Sequence, residues 1–149
     1  MSVGSMSAGP DEVTIRIATR DDLPAVLGLW SRARSAAART PDDVAVLDGL
    51  LERSPDALLV AELEGEIVGA LIAAWDGWRG NMHRLAVVPD VRRRGIARRL
   101  VETGHEHLRT QGARRITALV GSDESEAMAL WRTTGYERDD LVVRFVRNL

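Results

Sequence analysis

Apolar and polar residues alternate along Val13-Thr-Ile-Arg-Ile-Ala18, the period of a half-buried strand. The period then changes: Leu23, Val26, Leu27 and Trp30 recur at helical spacing behind Asp21 and Asp22, either of which can cap a helix, with Pro24 tolerated in its first turn. Residues 31–38 form a small, arginine-rich connector. A second helix is predicted from Thr40-Pro41-Asp42-Asp43, with Thr40 as cap, Pro41 in the first position and Val44, Leu47, Leu50 and Leu51 as its buried stripe. Two apolar runs, 57–63 and 66–75, flank Glu64-Gly65 and predict a hairpin. A turn at 76–80 leads to a strand over 82–88, which Pro89 and Asp90 end. The next helix begins near Gly95 and runs to about Gln111, with Gly112 as its stop. A strand over 115–120 follows, then a helix capped by Asp123, supported by Glu126 three residues on and stopped by Gly135. A last strand is expected over 141–146, with room for a short one at 136–138. The order β-α-α-β-β-β-α-β-α-β predicts one mixed α/β domain over 13–149.

Composition narrows the chemistry. A length of 149 residues, 45% hydrophobic and 28% charged, suits a single soluble domain with a real core. The net charge of −2 argues against a nucleic-acid binder, which carries a basic surplus over the whole domain. Lysine is absent, which removes a P-loop and a Schiff-base nucleophile. Cysteine is absent too, excluding disulfides, a thiol nucleophile and thiolate metal sites. No apolar run approaches the roughly 20 residues that span a bilayer. Residues 1–12 are small and polar, without signal-peptide character, and are expected to be a disordered lead. These features predict a cytoplasmic protein.

Against that balanced background, five arginines crowd into Val91-Arg-Arg-Arg-Gly-Ile-Ala-Arg-Arg-Leu100. At about 100° per residue, Ile96, Leu100, Val101 and Leu108 fall on one apolar arc, with Ala97 and Gly104. Arg98, Arg99, Glu102, Glu106 and Arg109 lie on the opposite, solvated arc. Arg92, Arg93, Arg94, Gly95 and Ala97 differ, because they sit where a strand gives way to a helix. The first turn of a helix leaves N–H groups unpaired and carries partial positive charge. Gly95 and Ala97 remove bulk, so a phosphate can approach those amides, and neighbouring guanidiniums can add charge-assisted bonds. This is the pattern of a pyrophosphate cradle. His105 and His107, two residues apart on a helix, point in different directions and do not form a metal pair.

The chain resembles the GNAT superfamily of acyl-CoA-dependent N-acyltransferases. The family's signature R/Q-x-x-G-x-G/A is met as Arg92-Arg93-Arg94-Gly95-Ile96-Ala97, directly after Leu85-Ala86-Val87-Val88-Pro89. Downstream, Ala127-x-x-Leu130-Trp131-x-x-x-Gly135-Tyr136 is similar to the family element A-x-x-L-Y-x-x-x-G-F, and Asp76-Gly77-x-Arg79-Gly80 resembles a branch of small bacterial members. The resemblance covers nearly the whole chain. It implies the GNAT fold: a central mixed, mostly antiparallel sheet of 6–7 strands flanked by about four helices.

The resemblance further implies that acetyl-CoA is the cosubstrate and an amine the acceptor, a small amine or a peptide or protein N-terminus, without metal, nucleic acid or membrane, and with a homodimer left open. The pyrophosphate would lie on Arg93, Arg94, Gly95, Ile96 and Ala97, with the side chains of Arg92 to Arg94 as phosphate partners. The pantetheine arm would pair with Leu85, Ala86 and Val87, and Trp131 would border the cosubstrate. Strict alternation fails around Leu85 to Val88, as a β-bulge would require, and the N–H of Leu85 or Ala86 would stabilise the oxyanion. His83 stands where some members carry a catalytic Glu and is the candidate base, with Asp76, Glu62 and a base-activated water as competitors. Trp131 replaces the family's frequent acid, Tyr, so Tyr136 is the remaining candidate acid and solvent the simpler one. Glu124 stands where the family often has Asn. The acceptor would enter between 31–40 and 137–140, where Asp76, Asp139 and Asp140 could attract a cation. Trp30 is expected in the core, Trp75 and Trp78 in the core or an acceptor-pocket wall. The alternative function is a catalytically silent acyl-CoA-binding or regulatory domain, suggested by Trp131.

Overall fold

The computed structural model describes residues 12–33 and 43–149. Residues 1–11 of the expected lead, most of the arginine-rich connector and Thr40-Pro41 lie outside them. The elements are β1 (Val13–Ile17), α1 (Leu23–Arg32), α2 (Val44–Arg53), β2 (Leu58–Leu63), β3 (Glu66–Trp75), β4 (Gly80–Val87), α3 (Ile96–Gln111), β5 (Ile116–Ala118) and α4 (Ser125–Thr133), with short 3-10 turns at Arg20–Asp22 and Pro89–Val91. Sheet order follows chain order, β1-β2-β3-β4-β5. Every pairing is antiparallel except β4 with β5.

Both faces of the sheet are covered, which explains why β2 and β3 are continuous apolar runs rather than alternating ones. Leu58, Val60 and Ala70 pack with Leu23, Val26, Leu29 and Trp30 of α1 and Leu47 and Leu51 of α2. Their neighbours Leu59, Ala61, Leu71, Ala73 and Met82 turn the other way, onto Ile96, Leu100, Val101 and Leu108 of α3 and Trp131 of α4. The β2–β3 hairpin has left-handed residues at both central positions, Glu64 and Gly65, as a type I′ turn demands. Helix α3 begins at Ile96 and stops at Gly112, whose φ is +114°. At mid-helix a Cβ on Gly104 would sit 3.1 Å from Leu71 Cδ2 and Met82 Cε, so glycine is what lets α3 lie close on the sheet.

Three expectations are corrected. The α2 cap is Asp43, whose carboxylate accepts from Ala45 N–H at 2.7 Å. Helix α4 starts at Ser125 behind Glu124, not behind an Asp123 cap, and Glu124 instead accepts from Gly121 N–H at 3.1 Å. Among the described residues the sheet has five strands rather than six or seven, because 141–146 forms no strand and neither does 136–138. The segment's alternation is strand-like, yet local bonds hold its start away from a ladder. Asp139 accepts from Leu141 N–H at 3.0 Å, Arg138 pairs with Asp140 at 2.7 Å, and Asp139 lies 3.6 Å from Arg115. Leu141 and Phe145 remain 95% and 91% exposed.

Candidate functional site

The site is built around β4. Ala70 pairs with Ala86 and Ile72 with His83, so Leu71 faces two residues, Arg84 and Leu85. This is the β-bulge expected from the broken alternation. Arg84 takes the left-handed conformation, φ +59°, which is uncommon for a long side chain. Its carbonyl accepts a 2.9 Å hydrogen bond from Trp30 Nε1, and its guanidinium lies 5.8 Å from the Trp30 ring centroid. Trp30 is in the core as expected, but its N–H bond to the bulge had no signal in the sequence. His83 is partly buried opposite Ile72, whose side chain packs in the α1–α2 layer, which places His83 on the same face. Burial, then the positive charges of Arg144 and Arg84, push its imidazole below the usual histidine range. It is therefore neutral at neutral pH, the state of a base.

The two parallel strands diverge beyond this point. β4 pairs with β5 only over Gly80, Asn81 and Met82, while β4 itself continues to Val87. Among the described residues, His83 to Val87 have no strand partner on the β5 side. An extended ligand arm carrying amides, such as pantetheine, matches such an edge.

At the end of β4 the chain turns through Arg92, Arg93, Arg94 and Gly95 into α3. Arg93 and Gly95 both have positive φ, +68° and +78°, with Arg94 between them. Left-handed residues in such alternation turn successive amides toward one side and form an anion-binding concavity. A Cβ built on Gly95 would meet nothing within 4 Å, so the space over this helix N-terminus is open. Arg92 is committed inward through its Nε, which donates to the Val87 carbonyl at 3.1 Å and pins the loop to β4. Arg93 reaches across to Glu126 of α4 at 2.8 Å. Ile96 is buried beneath the loop and Ala97 is half-exposed above it. Arg98 and Arg99 lie on the exposed face, where Arg98 sits 3.5 Å from Glu102 and Arg99 donates to the Val13 carbonyl at 2.7 Å. The loop and the β4 edge fit a pyrophosphate followed by an extended arm.

Other candidates lie elsewhere. Tyr136 packs edge-on to Trp131, and its hydroxyl stands 3.2 Å from His105 Nδ1 on the α3 side of the sheet. Burial pushes its phenol up. The structure thus does not bring Tyr136 to His83. Trp131 is buried in the α3 layer. Asp76 accepts from the N–H groups of Trp78 and Arg79 at 2.8 and 2.6 Å, and Glu62 pairs with Arg16 at 2.8 Å. Both are held in structural roles. Trp75 joins the core, whereas Trp78 is exposed with Arg79 stacked 4.2 Å above it. No group of three or more His, Cys, Asp or Glu able to hold a metal occurs among the described residues, and no helix among them is long and apolar enough to cross a membrane.

A sheet whose parallel strands part, with a bulge in one of them and a turn of left-handed residues leading from its end into a helix, defines the class of fold. The sequence profile of the Acetyltransferase (GNAT) family matches residues 23–136, and the chain belongs to that family. It is 34% identical to an acetyltransferase of Pectobacterium atrosepticum over 128 residues, covering 86% of this chain and 90% of that protein. Among solved structures, a ribosomal-protein-alanine N-acetyltransferase from Brucella melitensis superposes with a TM-score of 0.69 at 29% identity, over 83% of this chain and 84% of that one. An aminoglycoside acetyltransferase from an uncultured soil metagenomic sample, in complex with sisomicin, shares the fold with a TM-score of 0.73 at 22% identity, over 92% and 96%.

Proposed function

We propose that this chain is a cytoplasmic N-acetyltransferase that moves the acetyl group of acetyl-CoA to a primary amine, a small amine or a peptide or protein N-terminus. One observation carries the reading: an unpaired β4 edge that runs directly into a loop with left-handed Arg93 and Gly95 at the start of α3. Leu85, Ala86 and Val87 would hold the pantetheine arm, and the amides of Arg93 to Ala97 the pyrophosphate. The amine nitrogen attacks the thioester carbonyl carbon; a C–N bond forms, the C–S bond breaks and the electron pair leaves on the CoA sulfur. His83, kept neutral by burial and its cationic neighbours, accepts the amine proton, and solvent protonates the thiolate. A base held below the ordinary histidine range is better matched to an α-ammonium, pKa about 8, than to an alkylammonium, pKa about 10.4. Asp76, Asp139 and Asp140, the acids that could attract a cationic acceptor, are engaged by the Trp78 and Arg79 N–H groups, Arg115 and Arg138. Both facts favour an α-amine. Where a second copy binds, the exposed Leu141, Val143 and Phe145 offer apolar surface for it.

The test is thiol release from acetyl-CoA across amino acids, peptide N-termini and aminoglycosides, beside calorimetry with acetyl-CoA alone. Turnover with α-amines supports the assignment. Binding with no turnover on any amine selects the silent acyl-CoA-binding reading that Trp131 suggests. No binding at millimolar ligand overturns both.

A further inference from the structure

We propose that Trp30 is a positioning residue for the reaction, holding the bulge peptide so that the Leu85 N–H is aimed as the oxyanion donor. The inference rests on the acetyltransferase reading above and deepens it, because it selects Leu85 over Ala86 and names what orients it. The carbonyl of Arg84 and the N–H of Leu85 belong to one peptide group. That group is planar and trans, so its oxygen and its hydrogen point in opposite directions. Trp30 Nε1 bonds the oxygen at 2.9 Å, and fixing that end fixes the direction of the other. The indole cannot wander: Trp30 is 4% exposed, packed among Leu23, Val26, Leu47 and Leu51. The bond spans 54 residues, joining α1 to the one place where β4 leaves register with β3.

The bulge needs such an anchor. Arg84 is left-handed without being glycine, a conformation that persists only where its surroundings impose it. Slipping back into register would remove the left-handed residue and turn this amide into an ordinary ladder member. Donation to the Arg84 oxygen also polarises the amide, strengthening the N–H at its far end. Core packing explains an aromatic ring at position 30. Burial also requires that its N–H find an acceptor, and what ties it to the site is that the acceptor is the carbonyl of the left-handed bulge residue.

The decisive measurement uses Trp30→Phe, which keeps a ring and removes the N–H. Infrared difference spectra of acetyl-CoA labelled with carbon-13 at its carbonyl report the hydrogen bond directly and need no acceptor. In the wild type the bound thioester band is expected below its position in buffer; in W30F it moves back toward the buffer value. With any amine that is turned over, kcat falls about ten- to a hundredfold while KM for acetyl-CoA changes less than about threefold, as for loss of a donor that acts in the transition state. Binding of CoA, which lacks the carbonyl, stays within about threefold. If W30F does not fold, benzothienylalanine placed at position 30 by stop-codon suppression exchanges N–H for sulfur on the same ring frame and is measured in its place. A bound band identical to wild type in either variant overturns the role of Trp30 alone. A wild-type band that does not differ from buffer overturns the oxyanion reading beneath it, and the role of Trp30 with it.

Discussion

At Gly95 two requirements meet in one residue: a left-handed backbone, φ +78°, and open space over the start of α3. An L-residue in that conformation costs roughly 1–2 kcal/mol. Because an added Cβ touches no protein atom, any larger effect of Gly95→Ala falls on the ligand. The expected outcome is a stability loss of about 1 kcal/mol by denaturant titration, with acetyl-CoA affinity reduced by about tenfold or more. Wild-type affinity would contradict the cradle. At His83 the sign follows from its depressed pKa. With His83 as the proposed base the neutral form is the active one, so kcat/KM should rise with pH through a limb centred below about 6.5 and then level. His83→Gln should erase that limb and lower kcat by about a hundredfold or more. Gly95 was legible from spacing alone, since small residues between a strand end and a helix have a chemical reason to be there. Arg84 was not. Nothing in an arginine signals left-handed backbone, and only the register with β3 reveals which residue of the bulge adopts it.

At the scale of elements, the first strand and helix are tied by charge as well as packing. Arg16 of β1 donates to both oxygens of Asp22 at 2.7 and 2.9 Å and to Glu62 of β2 at 2.8 Å, and Asp22 also accepts from Thr19 N–H at 2.7 Å. The Arg16 guanidinium, chiefly, holds Asp22 down at about 2 from an ordinary 3.8. A depressed carboxylate stabilises the fold above its unfolded pKa, and that contribution is lost as pH falls from about 4 toward 2. The shift corresponds to about 2 kcal/mol, and to nearer 1 once solvent screening around the one-third-exposed Arg16 is allowed for. Asp22→Asn should therefore lose about 1–2 kcal/mol at pH 7, with the difference from wild type closing near pH 2. Periodicity located α1 and α3 because each buries a continuous apolar face, and the apolar run of β3 because that strand is covered on both sides. It misplaced the final strand for a physical reason: alternation makes a segment able to pair, while pairing itself depends on a neighbour and on how the chain arrives. Here the arrival is governed by Arg138, Asp139 and Asp140, whose local bonds hold residue 141 in a turn.

For the whole molecule, the consequence is a core completed without its C-terminal segment. Both layers close on residues from Val13 to Trp131, with Tyr136 at the margin. Leu141, Val143 and Phe145 add nothing to them, being at least 80% exposed. Removing 141–149 should therefore change global stability by less than about 1 kcal/mol, a shift in Tm of no more than about 4 °C for a chain of this size. The same segment bears on the proposed base, because Arg144 is the strongest charged influence on His83. Removing a cation favours protonation of a nearby imidazole, so the truncated protein should show its acidic limb of kcat/KM at higher pH than the full chain. Arg144→Ala alone should reproduce that displacement, and Arg144→Lys should largely restore the wild-type profile. If truncation instead collapses the thermal transition, the segment contributes to the core after all. If the profile stays fixed in both R144A and the truncated chain, the charge field at His83 belongs to Arg84 and burial alone. Core packing and the charge field at His83 are thus separable in this fold: the sheet and its two layers set where His83 stands and bury it, which lowers its imidazole pKa most, and a segment outside both layers adds to that lowering through Arg144.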